Sequence, residues 1–213
     1  MDFCRPVESI IPGASGRLLA ALARVEAELP VTTLAWIAAV GRTRASGIIS
    51  ELSDLGVVNR REVGRTVLVS LARDNAAGHL IDRLASLRTA VIDELRHLAA
   101  QIDPSPVSLS IFGSFARDEA DAGSDLDFLA VRAPTAEEGQ WASALSEFAR
   151  RARMLTGNRV EVLDYDLEEL RRKTTARNAK VGRGFWDSIR RDAVTLVGSP
   201  PADLLRVADG AAR

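Results

Sequence analysis

Residues Ile111-Phe112-Gly113-Ser114-Phe115-Ala116-Arg117, followed after a short polar stretch by Ser124-Asp125-Leu126-Asp127-Phe128, decide how this chain is read. The run 107–112 places Val107, Leu109 and Ile111 on one face and predicts a strand. It ends at Gly113-Ser114, where the missing Cβ permits close backbone approach. A helix starting there would turn free N–H groups and a positive dipole end toward phosphate oxygens. Ser114 adds a hydroxyl donor and Arg117 a charged fork within one turn. Asp125 and Asp127 stand two apart on a second predicted strand, so their carboxylates share one face while Leu126, Phe128 and Ala130 share the other. Two carboxylates ~4 Å apart repel by about 4 kcal/mol at an effective dielectric of ~20, so such a pair is splayed in water or held by cations. Hard divalent ions, magnesium or manganese, suit the oxygen ligands and bring substrate phosphates with them. A phosphate cradle beside a dicarboxylate predicts a metal–nucleoside triphosphate site, in which two metals clamp an in-line displacement.

Outward from this centre, strand and helix signals alternate. Thr135-Ala136-Glu137-Glu138 reads as a capping box opening a helix with Trp141, Leu145, Phe148 and Ala152 inside, closed at Gly157. A third strand is predicted over 159–163, short helices over 167–172 and 184–191, and a last strand over 193–197. Phe185 and Trp186 pack the carboxyl-terminal helix or face a nucleotide base. Lys180 and Arg183 are solvated loop charges or reach a substrate phosphate. Upstream, residues 75–102 form one long amphipathic helix with Leu80, Leu84, Leu87, Val91, Leu95 and Leu98 at near-heptad steps. It reads as a core-facing linker or a homodimer seam.

The first 75 residues predict three helices and a basic hairpin. A helix capped by Ser15 runs through Leu18, Leu22, Val25 and Leu29 to Pro30; a second carries Leu34, Ile37 and Val40; a third, capped by Thr43, ends at Gly56. Trp36 and Trp141 both read as core. Short strands at 57–58 and 66–71 flank a loop at 59–65. This is the order of a winged helix-turn-helix, with Arg42, Arg44 and Ser46 on the third helix placed for bases or phosphates of duplex DNA and Arg60, Arg61 and Arg65 on the wing. The fold class is therefore α+β. It divides into a winged helix at 1–75, a linker helix at 76–102, a mixed sheet flanked by helices at 103–198 and a flexible tail at 199–213.

Gly113-Ser114, a ten-residue gap and Asp125-Leu126-Asp127 resemble the signature of the DNA polymerase beta-type nucleotidyltransferase superfamily, in particular its minimal nucleotidyltransferase branch. Phe-Gly-Ser-x-Ala-Arg followed by Ser-Asp-Leu-Asp is similar to that branch over residues 107–131. The resemblance implies that Gly113 and Ser114, with Arg117 and Ser124, bind the triphosphate of ATP or another nucleotide. It implies that Asp125 and Asp127 bind the metals, and that a third acid on a later strand completes the site and helps deprotonate the incoming hydroxyl. That third position falls at Glu161, with Asp164 as a rival three residues on. Two departures stand out: Asp118 where the family has glycine, and glutamate where the third acid is usually aspartate. The implied activity moves a nucleoside monophosphate, AMP in the first instance, onto a hydroxyl of a protein, an RNA or a small molecule. The alternative is a DNA-binding regulator or antitoxin-like protein whose transferase domain senses nucleotide or docks a partner.

Composition narrows the classes. The chain has 213 residues, 46% apolar and 27% charged, with 28 basic and 29 acidic side chains and a net charge of −1, so a nucleic-acid partner needs a local patch. No apolar run approaches the ~18 residues of a membrane span, and no secretory signal opens the chain. The single cysteine, Cys4, excludes a disulfide framework or thiolate zinc cluster and fits a cytoplasmic protein. His79 and His97, the only histidines, read as surface residues.

Overall fold

The computed structural model of the chain describes residues 1–175 and 180–210, and the side chains of residues 1–174 and 184–205. It is a mixed α+β protein of two compact units: Arg5–Arg88, and Met1–Cys4 together with Thr89–Arg213.

The first unit runs α1 (Pro6–Ile10), α2 (Ala14–Ala23), β1 (Leu29–Pro30), α3 (Val31–Ile37), α4 (Arg42–Asp54), β2 (Val58–Val63), β3 (Thr66–Leu71) and α5 (Ala76–Ala85). Leu18, Leu22, Leu34, Ala45, Ile49 and Val69 meet in one core. Four sequence expectations change here. The helix expected to reach Pro30 stops at Ala23, because Leu29 and Pro30 pair with Val69 and Leu68 as a short edge strand. The expected caps Ser15 and Thr43 lie inside helices that start after Gly13 and Gly41. The loop expected at 59–65 is strand as far as Val63, and the hairpin turns at Gly64 with φ +60°. Trp36, expected in the core, is 82% exposed.

Residues 75–102 form two helices instead of one. Asn75 caps α5 by accepting from the N–H groups of Ala77 and Gly78, α5 ends at Ser86, and α6 (Leu87–Ala99) buries Val91, Ile92, Leu95 and Leu98.

The second unit is built on a four-stranded sheet: β4 (Ser108–Phe112), β5 (Leu126–Val131), β6 (Val160–Tyr165) and β7 (Val194–Gly198), in the order β6-β5-β4-β7. β4 is antiparallel to β5 and β7; β5 and β6 are parallel. One turn of helix, α7 (Gly113–Ala116), follows β4. α8 (Glu138–Thr156) is capped by the Glu137 carboxylate, not by Thr135. It covers one sheet face, where Phe148 meets Phe128 edge-on with centroids 5.1 Å apart. The other face carries Phe112, Leu129, Val131, Leu163 and Tyr165. It packs on α9 (Leu167–Thr175), α10 (Lys180–Asp192) and α11 (Pro201–Gly210) through Leu170, Trp186, Ile189 and Leu205. Of the tail expected to be flexible at 199–213, Pro201–Gly210 is helical, with Leu205 fully buried. The first residues belong to this unit too: Phe3 is buried edge-on against Phe115 at 5.6 Å, and Asn158 donates to the Ser124 and Met1 carbonyls. Among the described residues no helix is long and apolar enough to cross a membrane.

Candidate nucleotidyl-transfer site

Strand register assembles the acidic cluster. Asp127 on β5 is the partner of Phe112 on β4 and of Glu161 on β6, so the side chains of all three share one sheet face. Asp125, immediately ahead of β5, is near enough for its charge to act on Asp127. Adjacent strands lie ~4.8 Å apart, and two ionised carboxylates at roughly 5 Å repel by about 3 kcal/mol at an effective dielectric of ~20. The Asp127 carboxyl is accordingly pushed above the usual carboxylate range, by burial first and then by the charges of Glu161 and Asp125, with Arg117 opposing. Asp164, three residues from Glu161, points to the opposite face, where both its oxygens accept from Trp141 Nε1 at 3.0 Å. The structure therefore brings Glu161, and not Asp164, to Asp127.

Gly113 bridges the cluster and the turn. Its φ is +75°, and a Cβ there would stand 2.3 Å from Asp127 Oδ2. Only glycine satisfies both the left-handed backbone and the close approach. Ser114 follows, its hydroxyl without a hydrogen bond among the described residues. Arg117 donates from Nε to Glu119 at 2.7 Å and faces Asp127 electrostatically. α7 is a single turn, so the macrodipole expected at its start is small; backbone N–H groups and the Ser114 and Arg117 side chains are what remain for an anion. Ser124 does not join them. Its hydroxyl donates to Asp121 Oδ1 and accepts from the Asp121 N–H, both at 2.9 Å, which closes the loop ahead of Asp125. Asp118, standing where the resemblance expects glycine, keeps a glycine-like backbone at φ +60°. It lies beside the Cys4 thiol, whose pKa is raised by burial and then by Asp118.

As the side chains stand, Glu161 pairs with Arg159 at 2.9 Å, and among the described residues no three acidic, histidine or cysteine side chains converge on one metal position. The donor chemistry nevertheless suits a hard divalent cation: carboxylate oxygens from adjacent strands, where burial and the neighbouring charges of Glu161 and Asp125 disfavour the ionised Asp127 that a cation would stabilise. Phe185 on α10 stands beside Phe112, while Trp186 is buried against Tyr165. The side chains of Lys180 and Arg183 lie outside the described residues.

In the first unit all six arginine and serine candidates are exposed. Arg42, Ser46 and Arg65 line one cleft of about 390 Å³ with Thr32, Thr43 and Thr66. Arg44 lies outside it. Arg60 pairs with Glu62 at 2.9 Å, and Arg61 donates to Glu28, which lowers the Glu28 pKa and raises that of Arg61.

Comparison with known proteins gives no match among curated proteins. Solved structures similar to this chain include a toxin–antitoxin with AMP-PNP, at 16% identity over 57% of this chain and 86% of the other, TM-score 0.38. Another is a tri-AMPylated Shewanella oneidensis HEPN toxin in complex with MNT antitoxin, at 15% identity over 59% and 86%, TM-score 0.36. NadR in complex with 4-hydroxyphenylacetate matches at 25% over 43% and 69%, TM-score 0.32. These likenesses are too distant to bear on function. The nucleotidyltransferase domain family matches residues 92–199, half of the chain and the whole of the four-stranded sheet that carries Asp127 and Glu161, and the chain belongs to that family of nucleotide-transferring enzymes.

Proposed function

We propose that the chain moves a nucleoside monophosphate from a triphosphate, ATP in the first instance, onto an acceptor hydroxyl, and that Asp125, Asp127 and Glu161 do this with magnesium or manganese. The observation that carries the reading is the shared face of Asp127 and Glu161, with the Asp125 charge acting on Asp127 and Gly113 set against it. Divalent cations, when bound to the carboxylates, neutralise the triphosphate charge and the charge developing on the pyrophosphate. The Gly113 turn lets the chain come close to the phosphates, the Ser114 hydroxyl donates to them, and the Arg117 guanidinium balances their charge. Glu161 takes the proton of the acceptor hydroxyl as that oxygen bonds to the α-phosphorus; the bond to the β-phosphate breaks and pyrophosphate departs. The acceptor is a hydroxyl of a protein, an RNA or a small molecule. α-Labelled ATP, GTP, CTP and UTP, incubated with the protein and host lysate, test the reading and name the acceptor class. Label is expected on an acceptor with the wild type and not with Asp125→Ala/Asp127→Ala; transfer by the double variant would end it.

A second reading concerns residues 5–88, proposed as a winged helix that binds duplex DNA and serves, alone or as a homodimer, in regulation. The cleft joining Arg42 and Ser46 of α4 to Arg65 of the hairpin favours it. Anisotropy titrations of labelled duplex over a salt series test it. Arg42→Ala and Arg65→Ala should each weaken binding and reduce the salt slope by about 1, whereas Arg61, held by Glu28, should matter less. Duplex affinity indifferent to both substitutions would overturn it.

A further inference from the structure

We propose that Phe185 is the platform on which the nucleobase of the triphosphate stacks, an inference that rests on the reading of Gly113–Arg117 as the phosphate turn.

The second unit contains all six phenylalanines of the chain and two of its tryptophans. Seven of these eight rings are buried at 9% exposure or less; Phe185 alone stands out, at 39%. The ring is exposed but not loose. It meets Phe112 edge-on, with centroids 5.6 Å apart and planes at 90°, and Trp186 at 5.1 Å and 75°. Two such contacts fix an aromatic orientation while leaving ring surface in water. The place is as specific as the exposure. Phe112 is the last residue before Gly113, and its register partner is Asp127, so Phe185 stands on the carboxylate side of the sheet, one residue from the phosphate turn. α10, which carries it, packs directly on α7. A nucleotide with its phosphates on Gly113 and Ser114 has its sugar and base to place beyond them, and Phe185 offers an exposed aromatic surface beside that turn.

A phenyl face selects by area and not by hydrogen bonding. Every base has a π-face, and a purine covers more of the ring than a pyrimidine. The neighbouring Ser188 hydroxyl is spent on the Phe185 carbonyl at 2.7 Å, so it does not read a base edge. The platform therefore predicts purine over pyrimidine, with adenine and guanine little separated by Phe185 itself.

The test is calorimetric titration of the full chain, in magnesium buffer, with the α,β-methylene analogues of ATP, GTP and CTP and with inorganic tripolyphosphate. Phe185→Ala should weaken the ATP and GTP analogues by about 5- to 150-fold, the span of single-base stacking on an aromatic side chain, and leave tripolyphosphate binding unchanged. Phe185→Trp should restore the loss. Phe185→Leu keeps apolar bulk against Phe112 and Trp186, so it should melt like the wild type yet still bind the purine analogues weakly. Purine binding unchanged in Phe185→Ala would overturn the platform and leave the phosphate turn standing. A parallel loss of tripolyphosphate would overturn it in favour of a packing role. A wild type that binds neither the analogues nor tripolyphosphate would remove the phosphate turn, and the platform with it.

Discussion

A Cβ on Gly113 would stand 2.3 Å from Asp127 Oδ2, so the glycine turn and the carboxylate that faces it are fitted to each other atom against atom. Gly113→Ala forces a left-handed alanine, at about 1–2 kcal/mol, and displaces Asp127 as well. Denaturant midpoints should fall accordingly. Nucleotidyl transfer should fall by more than the stability change explains, since 1 Å of misplacement at a reacting centre costs about 100-fold.

Asp127→Asn should separate stability from activity. The folded state raises the Asp127 pKa, so between the unfolded value, near 3.9, and the raised folded value the native protein binds more protons than the unfolded one. The stabilisation from this group is full below that window and is lost as pH rises through it; at neutral pH the buried charge opposes folding. The asparagine variant should therefore be more stable than wild type at pH 7, with the two converging toward pH 4, and should not transfer nucleotide. Urea midpoints at the two pH values check the sign.

Glu161 and Asp164 are three residues apart and should fail in different ways. Glu161→Gln should lose transfer while melting close to wild type, because its partner Arg159 is exposed and a surface pair contributes about 0–1 kcal/mol. Asp164→Ala should keep turnover but lose stability by about 1.5–3 kcal/mol, the range for a hydrogen bond to a charged group, since its carboxylate accepts from the buried Trp141 indole. Thermal melts beside single-turnover assays distinguish the two.

Asp118 at φ +60° should tolerate glycine and reject branched side chains. Asp118→Gly is expected within about 0.5 kcal/mol of wild type, and Asp118→Val to be destabilised by about 1–2 kcal/mol or more. Melting temperatures of the pair check it.

Particular residues show what the sequence disclosed about this fold and what it withheld. The strand–glycine–strand centre was legible because a period of two survives in Val107, Leu109 and Ile111 and again in Asp125 and Asp127, and because parity alone puts Glu161 on the face opposite Val160 and Val162. The same parity argues against Asp164, but the acceptor role that occupies it depends on Trp141, 23 residues away. Leu29 continued the three- and four-residue steps of α2 and looked helical; its pairing with Val69 is a long-range contact that no local spacing contains. Residues 59–63 gave no strand signal because their side chains are exposed on both faces of an edge strand. Trp36 shared a helix with the fully buried Leu34, yet the core accepted Leu34, Ala35 and Ala38 and left the indole in water. Ser124 looked like a ligand residue from its neighbours, and only the loop geometry reveals that Asp121 occupies its hydroxyl.

Phe3 has a timetable that its neighbours do not share. Its ring packs on Phe115, so the opening residues of the chain complete a unit whose remainder begins at Thr89. During synthesis, at roughly 5–20 residues per second, Phe3 waits roughly 5–20 s for its partner to be made, while residues 5–88 emerge whole and are free to fold. A gene cut at residue 88 would likewise deliver a transferase without that ring. The expected product exposes Phe115 and is restored by grafting Met1–Cys4 ahead of Thr89.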